Sequence, residues 1–312
     1  MYRHLRAGLI ALACSTAFMA LAGTPVQVPG TTVRMSPPAG FEPATQFAGF
    51  VAPASQASIL LAEMPGEAHG QLAPLFANEK AGQDAFAAKG IRVERRTTIA
   101  TASGEVPVLI GTQQAQGQGF RKWMALFHGD KVVLATVQAP AASGLSQAEV
   151  LAALASVQLG PPPSPQQVLD ALPFTARAVA PFRVIDTMGG AGLAMTAGDR
   201  DRDAEGRQPL IVVASSLSPP GASQEAGALA RALLAQTHGL EQARIESSGS
   251  AGFAGTQATV LRGRTPQGRQ FVQYLSLWPG ERYIRLVAML PADGDAALLT
   301  AVEAIAASVA FR

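Results

Sequence analysis

The chain has 312 residues, of which 48% are hydrophobic and 15% charged, and it contains one cysteine. Its 24 basic and 22 acidic residues nearly balance. This balance argues against a nucleic-acid partner, because proteins bind a phosphate backbone through clusters of Lys and Arg.

Residues 1–22 are predicted to be a cleaved signal peptide. The first six, MYRHLR, hold two arginines and no acid, and an apolar run follows from Ala7 to Gly23. Ala20-Leu21-Ala22 then supplies the small-x-small pattern of a cleavage site. The alternative is a membrane anchor, but the run is shorter than the roughly 20 apolar residues of a span. We therefore expect a periplasmic or secreted protein without a transmembrane span after cleavage.

Cys14 raises the alternative of a lipoprotein, in which a cysteine becomes the lipid-bearing N-terminus. Lipoprotein signals resemble one another in a Leu three positions before that cysteine, where this chain has Ala11, so we favour simple cleavage. Cleavage after Ala22 leaves no cysteine, which excludes disulfides and thiolate chemistry. It also removes Arg3 and Arg6, which leaves 24 − 2 = 22 basic residues against 22 acidic ones.

A proline-rich segment, Gly160 to Pro165, indicates a boundary between two domains. Consecutive prolines remove backbone donors and favour an extended chain. We interpret residues 160–167 as a linker that joins a first domain at 30–159 to a second at 168–312.

The two predicted domains repeat one pattern. Ala100–Pro140 aligns with Ala251–Pro291 at a constant offset of 151 without a gap, with eight identities in 41 positions. Among the identities are Gly129/Gly280 and Pro140/Pro291. We interpret the pattern as a tandem duplication.

The elements predicted in each unit follow the order β-β-β-α-β-β-β-β-α. In the first unit the clearest are strand Ser58–Ala62, helix Leu72–Lys89 before Gly90, strands Glu105–Ile110, Phe120–Phe127 and Lys131–Gln138, and a helix with the capping-box pair Ser146 and Glu149. In the second they are Leu210–Ala214, helix Gln224–His238 before Gly239, strands Thr256–Leu261, Phe271–Trp278 and Arg282–Leu290, and a helix from about Asp295.

The strand at Phe120–Phe127 is apolar on both of its faces. Trp123 and Phe127 point to one side and Met124 and Leu126 to the other. Because such a strand must be covered twice, we predict an α+β protein made of two tandem α/β/α sandwich domains, each a mainly antiparallel sheet flanked by helices.

Pro38-Ala39-Gly40-Phe41 precedes a predicted hairpin, and Ala180-Pro181-Phe182 stands at the matching place in the second unit without the glycine. With this opening and this element order, residues 30–312 resemble the photosystem P-subunit (PsbP) and DcrB-like superfamily of small exported domains. The resemblance implies a non-enzymatic binding or assembly module that contacts larger complexes and has no shared set of catalytic residues.

One acidic string mimics the start of a calcium loop. Asp199, Asp201 and Asp203 alternate as calcium ligands do, but Ala204 stands at the turn glycine and Leu210 at the bidentate glutamate. The arginines between the acids would cancel much of their field. We interpret the segment Gly198–Gly206 as a solvated hairpin loop and leave weak calcium binding as an alternative.

Other motifs indicate structure rather than chemistry. Met188–Gly192 lacks the Lys-Ser/Thr of a phosphate loop and predicts a hairpin turn, and Ser247–Gly252 lacks the G-x-S-x-G pattern and predicts a loop. His69, His128 and His238 are predicted in a loop, a turn and a helix end, without metal-ligand spacing. We expect no metal site, cofactor or catalytic set.

The positions that differ between the aligned units are the places to look for a function. They include Lys122 against Gln273 and His128 against Pro279. The aromatic pairs Trp123/Tyr274 and Phe127/Trp278 could line a cleft, but we expect them to fill the core. The acids Asp130 and Glu281 are expected to be exposed in turns.

These observations favour an exported, non-enzymatic binding or scaffold protein of the cell envelope, whose partner is an envelope protein or a small apolar ligand. Two alternatives remain open. The first is a carrier of a small molecule or lipid with an apolar cleft, and the second is a hydrolase whose carboxylates meet only in the folded protein.

If the division into two domains is right, residues 166–312 expressed alone should fold. We expect one cooperative thermal transition in a calorimeter, because about 150 residues suffice for a core. A molten product without such a transition would contradict the domain boundary.

Overall fold

A computed structural model describes residues 24–115, 117–190, 192–201, 203, 205–216, 225–278 and 282–312. The predicted signal peptide with Cys14 lies outside these residues, as do Ala204 and the turn Pro279-Gly280-Glu281.

The first half of the chain, residues 24–159, contains ten strands and three α-helices among its described residues. They are β1 (Val26–Gln27), β2 (Val33–Met35), β3 (Glu42–Pro43), β4 (Gly49–Ala52), β5 (Ala57–Pro65), α1 (His69–Leu72), α2 (Glu79–Ala87), β6 (Ile91–Thr101), β7 (Gly104–Ala115), β8 (Gln118–His128), β9 (Lys131–Pro140), α3 (Gln147–Ala155) and β10 (Gln158–Leu159).

The second half, residues 165–312, follows the same plan. Its elements are α4 (Pro165–Asp170), β11 (Phe174–Thr175), β12 (Arg183–Asp186), β13 (Gly192–Thr196), β14 (Leu210–Ser215), α5 (Ala226–Ala235), β15 (Arg244–Phe253), β16 (Thr256–Arg264), β17 (Gln270–Trp278), β18 (Arg282–Leu290), α6 (Ala296–Ser308) and β19 (Ala310–Phe311).

Each half is built on a seven-stranded antiparallel sheet, and the two sheets have the same strand order. The first runs β3-β4-β5-β9-β8-β7-β6 and the second β12-β13-β14-β18-β17-β16-β15. Small sheets, β1-β2-β10 and β11-β19, tie the ends of each half together.

Helices cover both faces of each sheet, as the two-sided apolar pattern predicts. In the first half, α3 packs on the face that holds Trp123 and Phe127, and α2 packs on the face that holds Met124 and Leu126. In the second half, α6 and α5 take these places. The predicted α+β class with helix-flanked antiparallel sheets is confirmed.

Both sheets contain a β-bulge opposite a glycine. In β6 the bulge lies between Val93 and Arg95 and faces Gly111, whereas in β15 it lies between Ile245 and Ser247 and faces Gly263. A Cβ on either glycine would collide with the backbone of the bulged strand. The bulge adds twist, and the glycine gives it room.

The strand pairing shows that the gapless alignment is wrong across β8 and β17. Gly111 pairs with Lys122 with ten residues between them, whereas Gly263 pairs with Phe271 with seven between them. Lys122 and Phe271 are therefore the equivalent positions, because each pairs with the glycine opposite the bulge, and Lys122 is not equivalent to Gln273. Likewise, Phe271 pairs with Met289 rather than with the proline two residues later. The assumed equivalence of Trp123 with Tyr274 fails for the same reason.

The predicted helix Leu72–Lys89 is also wrong in extent. A 3-10 turn at Ala73–Phe76 follows α1, and α2 begins only at Glu79. Pro74 cannot continue the α-helical hydrogen bonds, and the Asn78 side chain accepts a hydrogen bond from the Ala81 N–H at 2.9 Å. Together they divide the segment into separate pieces.

Two further predictions change with the structure. Ser247–Gly252 is part of edge strand β15 rather than a loop, because it pairs along its length with β16. The proline-rich linker is not wholly extended, since Ser164 caps α4 in a capping box with Gln167.

The bulge predicts opposite outcomes for glycine substitutions. Gly111→Ala and Gly263→Ala should each lower the free energy of unfolding by about 2 kcal/mol or more, because the new methyl group meets rigid backbone. Gly249→Ala lies in open space on β15 and should raise stability by about 0.5 kcal/mol, since alanine loses less entropy on folding. Urea denaturation measures all three, and equal effects would rule out the steric explanation.

Candidate functional site

A cleft of about 350 Å³ lies where the two halves of the chain meet; we call it the junction cleft. Residues from the ends of β5 and β9 form one side, and residues from β12 and the 3-10 turn after it form the other. Its charged residues are Glu63, Lys131, Asp186 and Asp201.

Two glycines allow the halves to approach closely around the cleft. Gly30 lies against α4, where an added Cβ would be 2.5 Å from the Ala171 Cβ. Gly190 packs beside Ala48, whose Cβ would lie 3.2 Å from an added one. Both glycines also line the cleft, so close packing of glycine against alanine between the halves leaves no room for a side chain at either position.

The three carboxylates of the junction cleft are held in place by neighbouring donors. Glu63 Oε1 accepts hydrogen bonds from the N–H and the hydroxyl of Thr32, both at 2.5 Å. Asp186 Oδ1 accepts from the N–H of Thr187 at 2.7 Å, and Asp201 pairs with Arg183. These bonds orient the carboxylates before any ligand arrives.

Lys131 supplies the positive charge of the cleft lining. None of the ion pairs formed among the described residues involves its ammonium group. When Arg183, which pairs with Asp201, is counted with Lys131, three carboxylates stand against two cations. The cleft thus keeps a net negative charge, which favours a ligand that carries positive charge.

A stacked pair of histidines lies on the segments that lead to the cleft. His69 and His128 have ring centroids 4.0 Å apart with an interplanar angle of 21°. His128 ends β8 and His69 begins α1, shortly after the cleft residue Pro65. Sequence spacing did not predict this pair, because 59 positions separate the two residues.

The structure separates the three aspartates of the calcium-like string. Asp199 is exposed and lies 3.9 Å from Arg200, whereas Asp201 faces Arg183. Asp203 Oδ2 accepts a hydrogen bond from the Gln208 N–H at 2.6 Å, and this bond, together with those from the backbone N–H groups of Arg207 and Glu205, lowers the pKa of Asp203. The string joins β13 to β14 as predicted.

The other candidates take these places. Trp123, Phe127 and Tyr274 are core residues, and the rings of Trp278 and Phe311 are tilted by 38° with their centroids 4.5 Å apart. Asp130 is exposed, and His238 Nδ1 lies 3.4 Å from Glu241 Oε1. Met188–Gly190 forms a 3-10 turn, whereas Pro279 and Glu281 lie outside the described residues.

A buried polar network in the second half was not predicted. Gln273 is fully buried; its amide donates to the Ala230 carbonyl of α5 at 2.8 Å and accepts from Arg285 Nε at 2.8 Å. Arg285 Nη2 also donates to the Thr237 hydroxyl at 2.7 Å. Burial lowers the pKa of Arg285 to about 10. The sequence signal for this network was the polar pair Gln273 and Arg285, which are 12 positions apart on two adjacent, otherwise apolar strands.

Within the described ranges, no three His, Cys, Asp or Glu side chains converge as a metal site. Of the helices in that part of the chain, none combines the length and the apolar character needed to cross a bilayer.

No family model and no curated protein matches the chain. Two solved structures of the T6SS immunity protein TplEi from Pseudomonas aeruginosa are similar to it. The complex with the "L" peptide is 11% identical with a TM-score of 0.30 and covers 88% of this chain and 99% of that one. The apo structure is 12% identical with a TM-score of 0.32 and covers 87% and 96%. TM-scores this low transfer neither a fold nor a function.

Lys122 yields a pH-dependent prediction outside the cleft. It is 9% exposed, and burial lowers its pKa below 10.5. The pKa of Lys122 is thus lower in the folded chain than in the unfolded one. Between these two pKa values the unfolded chain still holds a proton that the folded chain has released, so the free energy of unfolding should rise with pH up to about 10.5. Lys122→Met should remove that rise and add about 1 kcal/mol at pH 7.

The matched control is Lys89→Met, at an exposed lysine on the same half. Chemical denaturation from pH 7 to 10.5 should give the wild-type profile for this variant. If Lys122→Met kept the wild-type dependence of stability on pH, the titration of Lys122 would not be the cause of that dependence, and the prediction would be wrong.

Proposed function

We propose that the chain is an exported, non-enzymatic binding protein of the cell envelope that holds a positively charged group of a partner protein in the junction cleft. The observation that carries this proposal is the convergence of Glu63, Asp186 and Asp201 on one cleft. These residues come from three separate segments, and each is fixed by hydrogen bonds or an ion pair of its own.

The charge of the cleft selects the kind of ligand. Oriented carboxylates inside a concave surface reinforce one another's field, and a Lys or Arg side chain can replace the water on their remaining oxygens. Lys131 at the same surface would repel a second cation and could pair with an acidic group beside the first. The cleft therefore suits a polar protein segment better than an apolar ligand, so it lends no support to a lipid carrier.

Export and superfamily membership belong to the same proposal. The apolar N-terminal run with its small-x-small site supports cleavage after residue 22 and an envelope location. Two antiparallel sheets with helices on both faces, together with the Pro38–Phe41 opening, support membership of the PsbP/DcrB-like superfamily in tandem duplication.

A hydrolase is the second candidate, because carboxylates that are distant in sequence line the same cleft. Acid–base hydrolysis needs two such groups on either side of a substrate. The hydrogen bonds and ion pair that hold Glu63 and Asp201 fit a binding role better, since those oxygens already have partners.

Charge removal in the cleft tests the binding role. Immobilised mature protein should capture a partner from envelope extract, and Asp186→Asn should reduce the captured amount several-fold. The Asn oxygen can still accept from Thr187, so the turn should persist. Capture by the wild type should also fall as salt rises, because an exposed ionic contact is screened.

The matched control is Asp84→Asn, which removes an exposed carboxylate of α2 that pairs with Lys80. This variant should capture the partner as the wild type does. Equal capture by Asp186→Asn would reject the cleft as the site. Turnover of a hydrolase substrate panel that Asp186→Asn abolishes would establish the enzymatic alternative instead.

A further inference from the structure

Three polar side chains form a row across the first sheet. The strand pairing places Lys122 of β8 beside Gln138 of β9, and Gln138 beside Ser58 of β5. All three lie on the face that α2 partly covers, because Met124 and Leu134 point to that face from the same strands. Directly paired residues on one face have Cβ atoms about 5 Å apart, so the three side chains are neighbours. We call them the polar row.

The second half carries apolar residues at the same positions. Phe271 holds the position of the row's lysine and pairs with Met289, which pairs with Leu210. Met289 and Leu210 line a cavity of about 160 Å³ whose other walls include the connection between β13 and β14, residues 197–209. The matching connection between β4 and β5 is the tight turn of residues 53–56, which is too short for a similar cover. The same place on the fold is thus apolar and covered in one half, but polar and open in the other.

Lys122 is the charged member of the polar row, and it has no anion beside it. The residue is only 9% exposed, and within the described chain its ammonium group makes neither an ion pair nor a hydrogen bond. Lys122 Nζ still contacts solvent, unlike the indole Nε1 of the next residue, Trp123, which is buried without a partner among the described residues. Burial lowers the pKa of Lys122, because water solvates the charge poorly there. A cation in such surroundings is stabilised by an anion that reaches it.

The other two members of the row add hydrogen-bond donors. Ser58 and Gln138 are half-buried, and in the ranges that the structure describes their side chains have no hydrogen-bond partner. The Gln138 amide and the Ser58 hydroxyl can each donate to an anion. Phe120, two positions before Lys122, and Leu60, two positions after Ser58, lie half-buried on the same face. The polar row therefore offers one positive charge, two neutral donors and apolar flanks.

We propose that the polar row binds the carboxylate of a small organic acid that carries a single negative charge. The ammonium group of Lys122 pairs with the carboxylate, Gln138 and Ser58 donate hydrogen bonds to its oxygens, and the hydrocarbon part of the acid packs against the apolar flanks. One ammonium group balances one carboxylate, whereas a phosphate dianion would bring a second charge for which the row has no cation. This site goes beyond the proposed function, because the polar row shares no residue with the junction cleft.

The first test compares butyrate with its neutral amide. At pH 7 and constant ionic strength, millimolar sodium butyrate should raise the Tm of the mature protein above its value in sodium chloride, because a ligand that binds only the folded state stabilises it. Butyramide has nearly the same shape without the charge and should give no rise. The proposal is wrong if butyrate gives no rise, if butyramide gives an equal one, or if inorganic phosphate gives a larger one.

Substitutions in the polar row locate the site. Lys122→Met should fold, since the second half carries Phe271 at this position, and should weaken butyrate affinity at least tenfold in a calorimetric titration. Gln138→Met, which copies Met289, should weaken it several-fold. The matched control Lys89→Met, at an exposed lysine, should bind butyrate as the wild type does. Wild-type affinity in both row variants would place the ligand elsewhere.

The titration of Lys122 separates binding from a structural effect of the substitutions. A bound carboxylate favours the protonated amine, so butyrate should raise the pKa of Lys122 and leave those of the other lysines unchanged. NMR of protein labelled at the lysine side-chain Cε measures this, because the chain has only four lysines to resolve. A Lys122 titration that saturating butyrate does not shift would exclude contact with the ammonium group.

The junction cleft gives an independent control. Asp186→Asn should bind butyrate as the wild type does, since Asp186 lines the junction cleft and is not part of the polar row. Failure of this proposal would therefore leave the partner-capture result unaffected, and the reverse also holds.

Discussion

Burial of both faces is the constraint on which the arrangement of each sheet depends. Strand β8 directs Trp123 and Phe127 under α3 and Met124 and Leu126 under α2, so most of the sheet surface is committed to packing. The carboxylates of the junction cleft therefore come from strand ends and loops, where they can remain hydrated, whereas Gln273 and Arg285 are polar exceptions on a covered face. The junction cleft lies at such ends, which explains why binding chemistry and core stability use different residues.

The face pattern and element order could be predicted from the sequence because side-chain direction alternates along a strand with period two. The register could not. An alignment error of two residues leaves every side chain on its proper face while it changes every cross-strand neighbour. Trp123 and Tyr274 thus both lie in the core, although Trp123 pairs with Ile110 and Tyr274 with Val260. Hairpin length, which sets register, has no periodic signal.

The candidate sites were beyond sequence analysis for a different reason. Glu63 and Lys131 come to the same cleft through the pairing of β5 with β9, whereas Asp186 lines that cleft only because the halves pack together. Asp203 was expected in a solvated loop, but the bonds that Arg269 makes to the Gly206 and Gln208 carbonyls fold that loop over a cavity. No local pattern records such contacts between distant segments.

The two halves differ clearly at positions that are equivalent by strand pairing but carry side chains of different polarity. By strand pairing, Gln273 and Arg285 occupy the positions of Met124 and Leu134 in the first half. The first half packs apolar side chains there, whereas in the second half Gln273 donates a hydrogen bond to the Ala230 carbonyl of α5. Apolar contacts tolerate sliding, but a satisfied polar network allows one placement of the helix. In the second half, α5 is therefore held by a directional hydrogen bond as well as by apolar burial. This arrangement requires the desolvation of Arg285, which costs free energy.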